Sequence, residues 1–355
     1  MTTTLGTLQG IADPGRETRP AVGEAREGGS SSVPAPRRKF IYILGSGRCG
    51  STLLEIILGS HPQIRATGEY HGIPFPKWLP AAVCSCQASF DRCTFWAPIY
   101  EQYTRSIDVE HHRREQGRFE NYSSLPRTLA YALFGSRSLR QHAERMQRVI
   151  PLIASASGKP FVVESSKSAV RGFVYRLAPG SDLDIYYIHL VRDGRAYIRS
   201  KLGTPDGGGL GRRAMRQHPL APPLEWMMTN LLAVLLCGRP RDRYLRLRYE
   251  EFIGDPAGSL RAIGTFLGVD LSEVADAVRQ GRGMPIVHLL GGNRLRFSDS
   301  IRVVPHHVDE TGVGRREDWL YRILAGWLAI LFGYRISDPQ RAPRSRAPTS
   351  PGESG

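Results

Sequence analysis

Short apolar runs recur along the middle of the chain and predict buried strands. Residues 39–45 (KFIYILG), 160–165 (PFVVES) and 184–192 (DIYYIHLVR) are mainly apolar, whereas 244–249 (YLRLRY) alternates apolar and polar positions. Runs of this kind, rich in Val, Ile and Tyr, are typical of strands. Because strands that are apolar on both faces occur in parallel sheets covered by helices, the pattern predicts an α/β fold.

The segments between these strands have the periodicity and end signals of helices. Residues 51–58 are expected to form the first helix, which ends at Gly59. Further helices are predicted after Asp193 and over 224–237, 256–267, 272–280 and 315–332. Asp255 precedes a proline in the position of a helix N-cap, and Glu250 follows a predicted strand. Both acidic residues are therefore interpreted as structural.

The two ends of the chain have the composition of disordered segments. Residues 1–38 and 337–355 are rich in Gly, Pro, Ser and Arg and have no apolar periodicity. We therefore expect one folded domain over 39–336. The sequence has no run of about 18 apolar residues, which a transmembrane helix needs, and its first residues lack the basic and then apolar order of a secretory signal. These features predict a cytoplasmic protein without a transmembrane segment.

The chain is strongly basic. It has 48 Lys and Arg against 33 Asp and Glu, a net charge of +15, and each predicted tail carries only one of these net positive charges. The charge of the folded domain favours anionic ligands such as phosphorylated cofactors, acidic substrates or nucleic acid. The sequence has no basic stripe interleaved with aromatic residues, which nucleic-acid binding would favour. We therefore predict no nucleic-acid partner, and a basic nucleic-acid-binding protein is the less favoured alternative.

A glycine-rich loop separates the first predicted strand from the first predicted helix. It reads Gly45, Ser46, Gly47, Arg48, Cys49, Gly50, Ser51, Thr52. Such loops bind phosphate because successive backbone N–H groups point inward at the positive end of a helix. The spacing matches G-x-x-x-x-G, but Ser51 replaces the lysine that reaches the β- and γ-phosphates of a nucleoside triphosphate. The loop is therefore predicted to bind a different anion. A nucleotide kinase or another phosphotransferase is the alternative.

Several segments, in this order, resemble sulfotransferases that use 3′-phosphoadenosine 5′-phosphosulfate (PAPS). They are 45–70 (GSGRCGSTLLEIILGSHPQIRATGEY), 162–171 (VVESSKSAVR), 192–200 (RDGRAYIRS), 244–268 (YLRLRYEEFIGDPAGSLRAIGTFLG) and 288–297 (HLLGGNRLRF). The first resembles the 5′-phosphosulfate loop of that family and the third its 3′-phosphate motif. The resemblance, to the bacterial type, spans about residues 39–336. It implies a P-loop-type parallel central sheet with helices on both faces, and a helical and loop insertion over 70–150 on the acceptor side.

The resemblance implies transfer of a sulfuryl group from PAPS to a hydroxyl-bearing acceptor, with no metal required. The acceptor classes are carbohydrate, phenol, small metabolite and peptide tyrosine. A gap-free placement on the tyrosylprotein-sulfotransferase branch gives Glu69 the role of the base. His71 is the competing base, because many cytosolic sulfotransferases use a histidine. Arg48 and Lys167 are expected to assist the sulfuryl group and the leaving phosphate.

The same resemblance implies a site for the donor nucleotide. Arg192 and Ser200 correspond to the residues that bind the 3′-phosphate, and Arg294 and Arg296 lie where other members contact the nucleotide. Cys49 departs from the family, which usually has serine there; we interpret it as a small packed loop residue. The predicted donor-binding set is Ser46, Gly47, Arg48, Cys49, Gly50, Ser51, Thr52, Arg192, Ser200, Arg294 and Arg296.

Three of the five cysteines lie close together in the sequence. Cys84, Cys86 and Cys93 fall within ten residues and are followed by Phe95 and Trp96. A tetrahedral zinc site needs a fourth ligand, and no histidine is selected by its spacing from the three. Packed free thiols, one disulfide and a metal site are the three alternatives, and without a fourth ligand the sequence predicts no metal.

Overall fold

The computed structural model describes residues 38–72, 83–179, 182–203, 218–303 and 313–336. The predicted tails, 1–38 and 337–355, lie outside the described residues except for Arg38, which begins the first strand. Within the described ranges, no helix is both long and apolar enough to cross a membrane.

A five-stranded parallel sheet forms the centre of the molecule. Its strands are β1 (Arg38–Leu44), β2 (Ile64–Ala66), β3 (Phe161–Lys167), β4 (Leu183–Val191) and β5 (Tyr244–Arg248). The order across the sheet is β2-β3-β1-β4-β5, and every neighbouring pair is parallel. The four predicted strands are confirmed. The edge strand β2 is additional, because three residues give too short a pattern to recognise.

Thirteen α-helices occur within the described residues, in addition to short 3-10 turns. They are α1 (Ser51–Gly59), α2 (Trp96–Arg105), α3 (Val109–Phe119), α4 (Leu125–Leu133), α5 (Arg137–Gln147), α6 (Val149–Ser157), α7 (Ala169–Tyr175), α8 (Gly194–Gly203), α9 (Ala221–Cys237), α10 (Tyr249–Gly254), α11 (Pro256–Leu267), α12 (Ser272–Arg279) and α13 (Arg315–Leu331). Helices α1, α8, α9, α11, α12 and α13 lie where the sequence predicts helices.

Strand β1 is buried on both faces, as the predicted α/β fold requires. Phe40 and Tyr42 pack into one core with α6, α7 and α9, whereas Ile41 and Ile43 pack into a second core with α1, α11 and α12. Alternate residues of a strand point to opposite faces of its sheet. Helices therefore cover both faces of the parallel sheet.

Two acidic residues have the structural roles expected from the sequence. The Asp255 carboxylate accepts a hydrogen bond from the Gly258 N–H at 2.8 Å and caps α11. The Glu250 carboxylate accepts hydrogen bonds from the Asp193 N–H at 3.0 Å and from the Tyr334 hydroxyl at 2.7 Å. Glu250 thus links the start of α8 to the segment that follows α13.

Helices α2 to α5 lie within the predicted insertion at 70–150, which is therefore helical as expected. Residues 73–82 of this insertion lie outside the described part of the chain. A buried ion pair between Glu120, at the end of α3, and Arg171, in α7, attaches the insertion to the central domain. His142 of α5 also contacts Glu120, at 2.8 Å.

The segment between the short antiparallel strands β6 (Met284–Pro285) and β7 (Ser300–Ile301) is called the late segment. It passes beside the residues that follow the edge strand β2. Leu290 forms a parallel bridge with Gly68, and its N–H donates to the Thr67 carbonyl at 2.9 Å. A Cβ at Gly68, where φ is +80°, would lie 2.0 Å from the Leu290 carbonyl oxygen, so only glycine fits.

Candidate active site

The glycine-rich loop joins β1 to α1 at the carboxyl edge of the sheet. Arg48 and Gly50 have left-handed backbones, with φ of 67° and 95°. A Cβ at Gly50 would lie 2.5 Å from the Tyr249 ring, so glycine is required there. The turn places the N-terminus of α1 beside the loop, where free backbone N–H groups and the helix dipole favour an anion.

A cavity of about 660 Å³ opens at this loop. Most of the predicted site residues line it: Gly47, Arg48, Gly50, Ser51, Thr52, Glu69, Lys167, Arg192, Ser200 and Arg294. They come from the loop with the start of α1, the segment after β2, the end of β3, the end of β4 with α8, and the late segment. The fold therefore brings residues from five distant parts of the sequence to one cavity.

Three residues of the predicted donor-binding set do not line the cavity. Ser46 is buried, and its hydroxyl has no hydrogen-bond partner within the described chain. Cys49 is a fully buried free thiol whose pKa is raised by burial, which supports its interpretation as a packed loop residue. Arg296 donates to the Gly292 carbonyl at 2.9 Å. Its visible role is to hold the late segment.

Cationic side chains dominate the wall of the cavity. Arg48, Lys167, Arg192 and Arg294 line it together with one carboxylate, that of Glu69. Such an arrangement of charge favours an anionic ligand with several negative charges.

The guanidinium of Arg192 is held in a fixed position. It donates to the Arg48 carbonyl at 2.9 Å and lies 4.7 Å from the centre of the Tyr249 ring. Its Nε is buried and has no hydrogen-bond partner among the described residues.

Glu69 and Lys167 form an ion pair on the cavity wall. The Lys167 ammonium contacts Oε1 of Glu69 and donates to the Ser165 carbonyl at 2.9 Å. Lys167 ends β3 with a left-handed backbone (φ 68°), at an irregularity in the pairing with β1. This backbone turn directs the lysine toward Glu69. A non-glycine residue in this region is uncommon, and such residues concentrate at functional sites.

Glu55 is a positioning residue that the sequence analysis missed. It is buried in α1, and its carboxylate accepts hydrogen bonds from the N–H groups of Thr67, at 2.9 Å, and Gly68, at 2.6 Å. The Ser165 hydroxyl contacts the other carboxylate oxygen at 2.5 Å. Burial raises the pKa of Glu55 to about 7. The sequence feature that could have indicated a role for Glu55 is that it is a single acidic residue inside the apolar run LLEIIL.

Asn293 is a second residue that the sequence analysis missed. It lines the cavity, and its backbone N–H donates to the Thr52 hydroxyl at 3.2 Å. Its side chain accepts from the Leu295 N–H at 3.0 Å and caps the short turn Arg294–Phe297. The sequence feature that could have indicated it is the G-G-N motif, which follows two leucines and precedes the two predicted arginines.

His71 lies at a different cavity, of about 500 Å³. Its side chain is exposed, with Nδ1 3.2 Å from the Ser166 hydroxyl, and desolvation by the surrounding protein atoms, followed by the nearby Arg171, lowers its pKa. The intervening Tyr70 is buried, and its hydroxyl lies 2.9 Å from that of Tyr175. The lining residues of this second cavity are His71, Arg113, Gln116, Gly117, Glu120, Asn121, Tyr122, Ser166, Ser168 and Arg171. Glu69 and His71, the two candidate bases, therefore line different cavities.

The two cavities are lined by neighbouring residues at the end of β3. Ser166 lines the second cavity and Lys167, the next residue, lines the first. The first cavity is lined by the glycine-rich loop, whereas six of the ten lining residues of the second come from α3 and the three residues that follow it. This arrangement suits two reactants that approach one another at the end of β3.

Three solved structures show the range of similar proteins. The sulfotransferase domain of the Synechococcus PCC 7002 olefin synthase is 21% identical, with a TM-score of 0.43, over 84% of this chain and 95% of that one. A sulfotransferase domain from the curacin biosynthetic pathway is 13% identical, with a TM-score of 0.43, over 85% and 99%. A sulfotransferase from Alicyclobacillus acidocaldarius is 15% identical, with a TM-score of 0.40, over 85% and 98%.

Family membership is given by a sequence comparison. A family model described as the sulfotransferase family matches residues 41–273, well over half of the chain. This range includes the glycine-rich loop, Glu69, Lys167, Arg192 and Ser200. The match decides between the two enzyme classes that the loop left open, in favour of sulfuryl transfer over nucleotide phosphorylation. The chain belongs to the sulfotransferase family.

Proposed function

We propose that this protein transfers a sulfuryl group from PAPS to a hydroxyl group of an acceptor. One observation carries the proposal: the loop, Arg192 with Ser200, and the Glu69–Lys167 pair line a single cavity of about 660 Å³. Anion-binding groups and a proton acceptor thus occur together. In a sulfotransferase, these are the groups that donor binding and transfer to a hydroxyl require.

The residues of the cavity fit a donor that carries anions at two positions. The loop and the N-terminus of α1 would hold the 5′-phosphosulfate, because both present N–H groups to an anion. Arg192 and Ser200 would hold the 3′-phosphate by charge-assisted hydrogen bonds. Both residues line the cavity beside the loop, which supports this assignment. Ser46, Cys49 and Arg296 would act indirectly, by shaping the loop and the late segment.

PAPS supplies a sulfuryl group whose bond to the 5′-phosphate breaks as the bond to the acceptor oxygen forms, with adenosine 3′,5′-bisphosphate leaving. Glu69 would accept the proton of the acceptor hydroxyl, a role that contributes about 10²–10⁴-fold in enzymes. Lys167 and Arg48 would offset the negative charge of the transferring group and the leaving phosphate. The Glu69–Lys167 contact keeps the carboxylate oriented toward the cavity.

The second cavity, of about 500 Å³, is proposed to receive the acceptor. It is lined by α3 of the insertion and by Ser166, next to Lys167. An acceptor placed there would approach the donor at the end of β3. The proposed acceptor is a hydroxyl compound of one of four classes: carbohydrate, phenol, small metabolite or peptide tyrosine.

Ligand-dependent thermal stabilisation tests the donor. A ligand present at 100 times its dissociation constant stabilises the folded state by about 2.7 kcal/mol. We expect adenosine 3′,5′-bisphosphate to raise the melting temperature, and ATP with Mg²⁺ to raise it less. Formation of the bisphosphate from PAPS should then depend on an added hydroxyl acceptor. Stabilisation by ATP with Mg²⁺ alone would contradict the proposal and support a kinase.

A further inference from the structure

The three clustered cysteines and His288 come together in the folded chain. Their ligand atoms, three Sγ and one imidazole nitrogen, all lie within 4.8 Å of one another. Nδ1 of His288 is 3.2 Å from Sγ of Cys93 and 3.7 Å from Sγ of Cys84, and Cys86 and Cys93 are 3.7 Å apart at sulfur. Spacing along the sequence could not select this histidine, because it lies 195 residues after Cys93.

These separations are close to the edges of a tetrahedral zinc site. Zn–S and Zn–N bonds of about 2.3 and 2.0 Å place tetrahedral ligands about 3.5–3.8 Å apart. We propose that Cys84, Cys86, Cys93 and His288 bind one Zn²⁺ as a structural site. Four protein ligands leave no open position, which distinguishes such a site from a catalytic one. The proposal replaces the prediction of no metal.

The local backbone directs the first two thiols toward this point. The Cys84 N–H donates to the Ala88 carbonyl at 2.9 Å, and the Gln87 N–H donates to the Cys84 carbonyl at 2.8 Å. Gln87 has a left-handed backbone with φ of 67°. The resulting tight turn carries Cys84 and Cys86 on one short segment, as in many zinc sites in which two ligands are close in sequence.

The two aromatic residues that follow Cys93 orient His288. The Trp96 Nε1 donates to the His288 carbonyl at 2.8 Å. The Phe95 ring stacks on the imidazole, with centroids 5.5 Å apart and planes at 21°. His288 itself has a left-handed backbone, with φ of 52°, which is uncommon for a non-glycine residue. Such a conformation persists only where surrounding contacts hold it in place. Here the contacts with Phe95 and Trp96 hold the imidazole toward the thiols.

Arg65 supplies a positive charge that suits a metal–thiolate centre. It is buried, and its guanidinium lies 3.7 Å from the centre of the Phe95 ring. Its Nε and Nη2 atoms are buried without hydrogen-bond partners within the described chain. An uncompensated buried charge is costly. Zn²⁺ with three thiolates and one neutral imidazole has a net charge of −1, which would balance this guanidinium.

A disulfide explains the positions of fewer of these residues than a zinc ion does. A bond between Cys86 and Cys93 would need about 2.05 Å between sulfur atoms, against 3.7 Å here. It would leave Cys84 and His288 without a role and the Arg65 charge without compensation. A four-coordinate metal uses every group of the cluster.

The proposed zinc site is linked to the catalytic side of the molecule through backbone contacts. The Ser85 N–H donates to the Leu289 carbonyl at 3.0 Å, and the Leu289 N–H donates to the Ser85 hydroxyl at 2.9 Å. The next residue, Leu290, pairs with Gly68, beside Glu69. Zinc bound at His288 would therefore fix the segment that contacts the candidate base.

The test measures zinc in the purified 355-residue chain and does not depend on sulfotransferase activity. We expect one zinc per chain by elemental analysis, retained on dialysis and released by a mercurial thiol reagent. Cys86→Ser, at the exposed ligand, and His288→Asn should each lose the zinc. Cys237→Ser, a buried cysteine outside the cluster, is the matched control and should retain it.

Three outcomes would overturn the proposal. The first is wild-type protein without stoichiometric zinc even after refolding in its presence. The second is equal zinc content in the wild type and Cys86→Ser. The third is an intact mass lower by two hydrogens under non-reducing conditions, which would show the disulfide instead. Substitution with Co²⁺ gives a second readout on the wild type, because a tetrahedral thiolate site has intense visible absorption. Failure of the PAPS proposal would leave all of these results unchanged.

Discussion

Lys167 contacts the Glu69 carboxylate although the two residues are 98 positions apart in the chain. The parallel pairing of β2 with β3 brings the segment after β2 next to the end of β3. Removal of either side chain leaves the other unpaired in a partly buried site. We therefore expect the effects of substitutions at these two positions on catalysis to be non-additive.

Glu69→Gln should lower turnover by about 10²–10⁴-fold, because the amide retains the shape of the side chain but cannot accept the proton. The affinity for adenosine 3′,5′-bisphosphate should change little. Steady-state kinetics with a responsive acceptor and calorimetry with the bisphosphate measure the two quantities separately.

His71→Gln is the companion variant, assayed with the same acceptor. Since His71 lines the second cavity, we expect its loss to alter the acceptor KM more than kcat. Near-normal turnover of Glu69→Gln together with an inactive His71→Gln would transfer the role of base to His71.

Arg192→Ala should weaken adenosine 3′,5′-bisphosphate binding by about 10- to 100-fold. This loss of affinity corresponds to the free energy of one hydrogen bond to a charged group. Adenosine 5′-phosphosulfate, which lacks the 3′-phosphate, should bind almost as well as to the wild type. Arg261→Ala, at an exposed position of α11, controls for the loss of one positive charge. Equal losses for both nucleotides would contradict the assignment of Arg192 to the 3′-phosphate.

Gly50→Ala should damage both stability and donor binding. The added methyl would lie 2.5 Å from the Tyr249 ring, at a φ of +95°. Overpacking of this kind costs about 1–3 kcal/mol, and urea unfolding measures it. Gly254→Ala, where a Cβ meets nothing within 4 Å, is the matched control. A Gly50→Ala protein with normal donor affinity would show that this loop geometry is not needed.

Glu55→Gln should change the pH dependence of stability. The folded-state pKa of about 7 lies above the ordinary 4.5, so stabilisation by this group is full below pH 4.5 and is lost as pH rises through 7. Glutamine reproduces the neutral acid: its oxygen accepts from Thr67 and Gly68, and its NH₂ donates to Ser165.

Relative to the wild type, the free energy of unfolding of Glu55→Gln should therefore rise by about 3 kcal/mol between acidic pH and pH above 7. Urea unfolding across this range measures the difference. Burial also raises the pKa of the neighbouring Glu164 carboxyl to about 7. Because Glu164 is present in both proteins, the comparison isolates the contribution of Glu55. A difference that does not vary with pH would contradict the raised pKa of Glu55.

Gly117→Leu tests the acceptor cavity. Gly117 lies in α3 on the wall of the second cavity, and a Cβ there meets nothing within 4 Å. The leucine should fill space that the acceptor would use and raise the acceptor KM, while helix propensity favours the fold by about 0.8 kcal/mol. Gly117→Ala is the small-residue control. Loss of bisphosphate affinity with an unchanged acceptor KM would assign the second cavity a different role.

The sequence predicted four of the five strands, because burial on both faces leaves an unambiguous pattern, and also the flanking helices α1, α9, α11 and α12; α6 and α7, which cover one face of the sheet, were not predicted. Phe40 to Ile43 are all fully buried, so the apolar run of β1 could be recognised without its partners. The three-residue strand β2 was missed, because its place in the sheet depends on pairing with β3 and not on its own composition.

Site prediction depended on motifs that are continuous in sequence. The loop and the 192–200 segment could be recognised in this way, and most of the loop residues, together with Arg192 and Ser200, line the cavity. Glu55 and Asn293 act through contacts 12 and 241 positions away, which no local pattern contains. The ligand cluster around His288 was missed for the same reason.

The hydrogen bond between Asn293 and Thr52 has a consequence for biosynthesis. Its two residues are separated by 241 positions, and the Gly68–Leu290 bridge spans nearly as much of the chain. Pairings of such high sequence separation form late in folding, after local helices and neighbouring strands. A nascent chain emerging from the ribosome would carry the complete glycine-rich loop long before residues 288–296 could reach it. Competence to bind the proposed donor would therefore arise only after residues 288–296 have left the ribosome.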